Sequence, residues 1–219
     1  MEAKFLDSHD YANHVEKNAN GLFHALTHKA LEKNSKSYYS KILEVGAGNG
    51  QHLKFLKSNF DKYTMVDLEI PENVSKTFKT EYVKGDIHKL PFADCSYDKL
   101  ILTCVLHHLS DPIKALSELR RVARDGGEIT ILLPSDPGII FRFLRKIFAD
   151  PGLKRKKVEN ITLLRAIDHR NHVASLLAMI KFVFVNDKLR IIGYPAKMKL
   201  WNLNLFFIIN VRIQKSTDL

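Results

Sequence analysis

The chain has 219 residues, with 34 Lys+Arg against 24 Asp+Glu and a formal net charge of +10. Its 45% hydrophobic and 26% charged content is that of a globular protein with one real core, which excludes a disordered or fibrous chain. Cys95 and Cys104 form neither a CxxC pair nor a disulfide framework, which excludes a zinc ribbon and fits a reducing compartment, the cytoplasm.

Residues 7–34 place Tyr11, Val15, Leu22, Phe23, Leu26 and Leu31 at helical spacing, with Asp7 or Ser8 as the cap. The N-terminus lacks the apolar stretch of a secretory signal. KILEV (41–45) reads as a buried strand that stops at glycines. An amphipathic helix is expected over 50–60, a second strand at 63–67 and a third at 81–86. A fourth follows at 97–105, then a helix over 111–122 and a fifth strand at 126–134. This alternation predicts βαβ units and a parallel, doubly wound sheet. After Pro134 the rhythm changes: 138–148 and 161–184 read as helices, and 187–194 and 202–213 as strands. The seven residues between those last strands are too few for a crossover, so they predict an antiparallel hairpin. The longest charge-free apolar run, Leu200–Val211, has twelve residues, whereas a membrane-crossing helix needs ~20.

The expected fold is therefore α/β: a doubly wound, seven-stranded, mostly parallel, Rossmann-like sheet with an antiparallel C-terminal hairpin. One domain over 1–219 is divided into a helical lid (1–39), a ligand-binding core (40–134), a helical insertion (135–185) and the hairpin (186–219).

LEVGAGNG (43–50) carries the strongest chemical signal. An acid, Glu44, ends the first strand, and glycines at 46, 48 and 50 allow a sharp turn and close approach of a ligand to the main chain. Asp67 ends the second strand 21 residues after Gly46, where a carboxylate can accept both hydroxyls of an adenosine ribose. A dinucleotide site prefers a small residue at position 51, which here is Gln51. Glu44 would repel a pyrophosphate and suits a cationic ligand.

With these motifs, and with GDIHKLPFADCSYDKLILTCVLHHLSDP (85–112) and SELRRVARDGGEITI (117–131), the sequence resembles class I S-adenosylmethionine-dependent methyltransferases. The likeness is to the type 11 branch typified by ubiquinone and menaquinone methyltransferases. Ala123 and Asp125 depart from that branch's usual Leu and Pro at a turn. The resemblance implies S-adenosylmethionine as cofactor, with Glu44, Gly46, Ala47 and Gly48 at its methionine end. It implies Asp67 on the ribose hydroxyls and Leu68 beside the adenine. Asp86 and the Ile87 backbone would read the adenine edge, and the Thr103 carbonyl would meet the ammonium.

The residues after the fourth strand, Cys104 to His108, would face the methyl acceptor. They lack NPPY and a Pro-Cys pair, so neither a planar amide nor cysteine attack on a pyrimidine is expected. His107 and His108 are the candidate general bases, with packing against the sheet as the alternative for each. His169 and His172 form a second patch, but no third ligand is evident and no metal site is expected. Phe206 and Phe207 read as core, and Phe141, Phe143 and Phe148 as half core, half lid.

The charge is uneven. Residues 1–134 hold 18 basic and 18 acidic side chains; residues 135–219 hold 16 and 6. Arg142, Arg145, Lys146 and Lys154–Lys157 are the densest basic cluster, which suits an anionic partner, with a solvated surface as the alternative. The expected partner is a small-molecule acceptor methylated on oxygen, such as a sugar or glycan precursor, anionic or lipid-linked, with peripheral membrane contact. RNA and a non-catalytic binding module are the alternatives.

Overall fold

The computed structural model describes residues 20–72, 77–148, 163 and 167–215. Seven strands form one sheet: β1 (Tyr38–Val45), β2 (Asn59–Asp67), β3 (Thr80–Lys84), β4 (Tyr97–Thr103), β5 (Ala123–Pro134), β6 (Lys188–Pro195) and β7 (Asn204–Arg212). Their spatial order is β3-β2-β1-β4-β5-β7-β6. The first five are parallel; β7 runs antiparallel to both β5 and β6. The chain winds outward from β1 through β2 to β3, then restarts at β4 on the other side of β1. That switch opens a crevice at the C-terminal ends of β1 and β4, where ligands of open α/β sheets bind.

Alternation along the strands supplies both faces. Leu43, Val45, Leu100, Leu102, Ile129 and Ile131 bury one face under α2 (Pro112–Val122) and α4 (Val173–Val183), through Leu116, Leu119, Leu176 and Ile180. Asp111 caps α2 by accepting from the Lys114 N–H at 3.0 Å, and Pro112 fits its first turn. The other face buries Ile42, Tyr63, Met65 and Ile101 in one cluster. Leu132, Phe206 and Ile208 form a second cluster there with Leu31 of α1 (Asn20–Leu31). Phe206 and Phe207 are thus core, as expected.

Three helical expectations change. The helix over 50–60 is only a 3-10 turn, Gln51–Phe55, because β2 starts at Asn59 and leaves no length for more. Its covering role passes to α1, whose His28 stacks on Phe55 at 5.2 Å and hydrogen-bonds His52 at 2.7 Å. The helix over 161–184 is interrupted: residues 163, 167 and 168 are helical, His172 is extended (ψ 148°), and α4 begins at Val173, while 161–162 and 164–166 lie outside the described residues. In the N-terminal helix over 7–34, the described part is α1 with a 3-10 turn at Glu32–Asn34. The candidate caps Asp7 and Ser8 lie outside the described residues. The remaining helix, α3 (Ile139–Phe148), forms as expected.

A buried carboxylate ties the C-terminal elements together. Asp187, before β6, accepts from Arg120 Nε of α2 at 2.8 Å and from the Gln214 N–H at 2.7 Å. Asp187→Ala strands the Arg120 guanidinium and the 214 amide, and should cost about 1–3 kcal/mol in urea unfolding. A loss under about 0.5 kcal/mol would show that water replaces the carboxylate without penalty.

Candidate active site

The glycine-rich loop after β1 turns through left-handed backbone at Gly46, Gly48 and Gly50, with φ of 68°, 51° and 66°. A Cβ on Gly46 would meet Val105 Cγ2 at 2.3 Å, and one on Gly50 would meet Met65 Sδ at 2.7 Å. Gly48 is different: nothing lies within 4 Å of its missing Cβ, so its main chain stands open at the crevice. The Gly46 amide donates to the Val66 carbonyl at 2.8 Å, and Tyr82 donates its hydroxyl to the Gly48 carbonyl.

Asp67 ends β2 at the crevice. Its Oδ2 accepts from the Gly48 amide at 2.8 Å and its Oδ1 from the Leu68 amide at 2.7 Å. Each oxygen keeps a lone pair for a further donor. Leu68 beside it is 62% exposed, a free apolar surface at the strand end. Asp86 accepts from the His88 amide and ring at 2.9 and 2.8 Å, contacts that hold its carboxyl below the usual range. Ile87 is buried next to it.

Glu44 lies beneath the loop, buried, and accepts from the Tyr63 hydroxyl at 2.8 Å. Burial pushes its carboxyl up to about 7, against the opposing pull of His52 and the Tyr63 hydroxyl. Thr103 ends β4 with its Oγ1 buried and, among the described residues, without a partner. A buried hydroxyl left unpaired is costly unless a ligand completes it. Cys104 then takes a left-handed φ of 56°, uncommon for a side chain with a Cβ. Burial raises its thiol to about 12, which leaves it inert at neutral pH.

That turn sends the chain into a 3-10 turn, Leu106–His108. His107 is buried and His108 exposed. Burial first, and then its imidazole neighbours, hold His107 well below the usual range, so it is neutral at pH 7. The segment before α4 folds onto this turn: the Asn171 amide donates to the His107 carbonyl at 3.2 Å, and Asn171 Nδ2 to the Leu109 carbonyl at 2.7 Å. His169 thereby stands 4.6 Å from the His107 ring and 5.3 Å from the His108 ring. The absence of a third imidazole, expected from sequence, is corrected here: the partners of His169 are His107 and His108 rather than His172. The sequence reading also missed Tyr63, Tyr82 and the acids Asp136 and Asp168 behind the histidines. No local motif marks them, because each acts from an element distant in sequence.

A doubly wound sheet with an antiparallel seventh strand, an open glycine loop and acids ending β1 and β2 is the Rossmann-like fold that methyltransferases share. Residues 43–131, about two fifths of the chain, match the family model described as "Methyltransferase domain". A demethylmenaquinone methyltransferase of Thermotoga maritima is 31% identical over 114 residues, covering 50% of this chain and 49% of the relative. A tRNA U34 carboxymethyltransferase of Nautilia profundicola is 28% identical over 129 residues, covering 52% of this chain and 43% of the relative. The chain thus spans about half the length of these curated relatives. Among solved structures, the N-methyltransferase NodS of Bradyrhizobium japonicum WM9, in complex with S-adenosyl-L-homocysteine, superposes with a TM-score of 0.63 at 12% identity. That likeness covers 95% of this chain and 94% of NodS, and it shows the fold.

S-adenosylmethionine is the cofactor such a domain implies, and the residues present fit it. The crevice offers an open glycine backbone, a carboxylate with two spare lone pairs, an unpaired hydroxyl and a buried acid suited to a cation. The Glu44 carboxyl is about half protonated near pH 7 when no cation is near. A bound ammonium or sulfonium favours its ionised form, so binding should expel that proton. Calorimetry of S-adenosylmethionine in buffers of different ionisation enthalpy should register release of about half a proton at pH 7, with affinity rising from about pH 5 to 7 and level above. Affinity independent of pH over that range would remove Glu44 from the cofactor site.

Proposed function

We propose that this chain transfers the methyl group of S-adenosylmethionine to an oxygen of a small-molecule acceptor, of the sugar or glycan-precursor class, presented on a lipid carrier at an anionic membrane surface. The observation that carries the acceptor class is a link between the histidine cluster and α3. Arg145 of α3 donates to Asp136 Oδ2 at 3.0 Å, and the same oxygen lies 2.6 Å from His169 Nδ1. On the outer side of α3, Ile139, Phe143 and Ile147 form a stripe that is 67, 62 and 46% exposed. Arg142 and Lys146 flank it, exposed. The neighbouring β6–β7 loop adds exposed Lys197, Met198, Lys199, Leu200 and Leu203. Apolar anchors among cations suit an interface of acyl chains and anionic headgroups. Among the described residues no helix is long and apolar enough to cross a membrane. The Lys154–Lys157 cluster lies outside the described residues.

When bound, S-adenosylmethionine would supply an electrophilic methyl group on its sulfonium, with S-adenosylhomocysteine as the product left after transfer. The protein's part is alignment and exclusion of water. Asp67 would hold the ribose, and Leu68, Asp86 and Ile87 the adenine. Glu44, Gly46, Ala47, Gly48 and Thr103 would hold the methionine end. On the acceptor side, His108 has its Nδ1 engaged at 3.0 Å by the Asp168 carbonyl, which leaves Nε2 to take the hydroxyl proton. His107, buried and neutral, shapes the wall beside it.

Cofactor binding is tested by calorimetry with S-adenosylhomocysteine: Asp67→Ala should lose about 1.5–3 kcal/mol of affinity, the worth of charge-assisted bonds to the ribose. Unchanged affinity would sink the cofactor assignment. The acceptor class is tested separately. The protein should sediment with anionic vesicles and not with neutral ones, and Phe143→Asp should abolish sedimentation while S-adenosylhomocysteine affinity stays within about twofold. Binding to structured RNA that weakens by several log units per log unit of salt, with methylated RNA as product, would replace this reading with the RNA one.

A further inference from the structure

His107, His108 and His169 each bring one ring nitrogen within 4.8 Å of the other two. Two of the three are backed in the way metal-bound imidazoles are backed. His169 Nδ1 is 2.6 Å from Asp136 Oδ2, and His108 Nδ1 is 3.0 Å from both the carbonyl and Oδ1 of Asp168. A carboxylate or carbonyl on Nδ1 fixes the tautomer and turns Nε2 into the free, electron-rich ligand. The third ring supplies an independent sign. His107 is 5% exposed, and its Nδ1 has no hydrogen-bond partner. The His108 ring lies 3.9 Å from it and the His169 ring 4.6 Å, with Asp136 close enough to act on it electrostatically. A buried ring nitrogen without a hydrogen-bond partner, beside two imidazoles, is an expensive arrangement for packing alone.

From this geometry we infer that His107, His108 and His169 form a site for a divalent transition metal of the zinc class, with the fourth coordination position open. Three neutral imidazoles suit Zn2+ and its neighbours, whereas Mg2+ and Ca2+ require oxygen ligands. Three protein ligands rather than four is the pattern of a site that takes a water or substrate oxygen. The ligands come from the turn after β4 and from the segment before α4, and Asp136 from the loop after β5. All lie at the C-terminal end of the sheet, beside the crevice.

The consequence for catalysis rests on the proposed methyl transfer to oxygen. An acceptor hydroxyl bound at the open position loses its proton to solvent more readily, because the cation stabilises the alkoxide. In the metal-bound state His108 is a ligand, and activation of the hydroxyl passes from its imidazole to the ion. Arg145, through Asp136, makes the site sensitive to how α3 is seated.

The test is isothermal titration of the whole chain with Zn2+, with Mg2+ as the parallel arm, and the visible spectrum of the Co2+-loaded protein. One Zn2+ per chain, no Mg2+ at the same concentrations and a four-coordinate Co2+ band are expected. His169→Ala should weaken Zn2+ binding at least about 100-fold, and Asp136→Asn about 10- to 100-fold, because Asn cannot receive the ring proton as a carboxylate does. His172→Ala, at an exposed neighbour, should bind like the wild type. Should His169→Ala fail to fold, His108→Ala, an exposed side chain, gives the same reading. Equal Zn2+ affinity in wild type and His108→Ala or His169→Ala, or no stoichiometric binding at all, overturns the site. The two proposals fail separately. A chain that binds S-adenosylhomocysteine and methylates its acceptor but takes no Zn2+ loses only the metal site. One that takes Zn2+ in the predicted variant order but binds no S-adenosylhomocysteine loses only methyl transfer.

Discussion

The contact between Gly46 and Val105 is the constraint on which the crevice depends. A single methyl group on residue 46 would lie 2.3 Å from Val105 Cγ2. The loop after β1 and the turn after β4 are therefore pressed together with no side chain between them. That closeness puts the open backbone of Gly48 on one side of the crevice and the orphaned Thr103 hydroxyl on the other. It also fixes where the histidine turn begins. Left-handed backbone at Gly46 and Cys104 lets two parallel strands end side by side and still send their chains in different directions.

Around this contact the charges divide by role. Glu44, Asp67 and Asp86 end or follow β1, β2 and β3, and they make the cofactor half acidic. A dianionic pyrophosphate would meet repulsion here, whereas a sulfonium and an ammonium meet complementary charge. The acceptor half is built from imidazoles whose own acids, Asp136 and Asp168, stand behind them. Burial alone would raise Asp136, but His169 and Arg145 hold it down to about 2. It is ionised at any physiological pH and fixes the ring it faces. Thus, in the proposed function, the acids on one side bind and those on the other orient.

The N-terminal helix has a larger structural part than a lid. Its His28 meets His52 immediately after the glycine loop, and His52 Nε2 meets Glu32 Oε1 at 3.1 Å, all buried. Burial and the adjacent imidazoles lower His28 to about 3, so it serves as a neutral hydrogen-bonding group. This chain of polar contacts seats α1 over the short β1–β2 crossover, where a longer helix was expected. The crossover can be a single 3-10 turn because α1 covers the face that it leaves bare.

Local patterns determined much of this protein. Strand alternation, the spacing of Gly46, Gly48 and Gly50, and the short link before β7 specify the sheet, its antiparallel edge and the turn that opens the crevice, because each is encoded within one strand and the turn that follows it. The pair His107–His108 was legible for the same reason. The length of the 50–60 helix was not, since competition with β2 for residues 56–60 is decided by the ladder to β1 rather than by propensity. Nor could the sequence join His169 to His107 and His108. Sixty residues separate them, and they meet only because Asn171 pins its segment to the carbonyls of the 106–109 turn while Asp136 reaches in from beyond β5. Periodicity reports which face a residue takes within its own element. Which distant elements share one end of the sheet is set by the crossover topology and by hydrogen bonds between loops, and those exist only once the tertiary structure has formed.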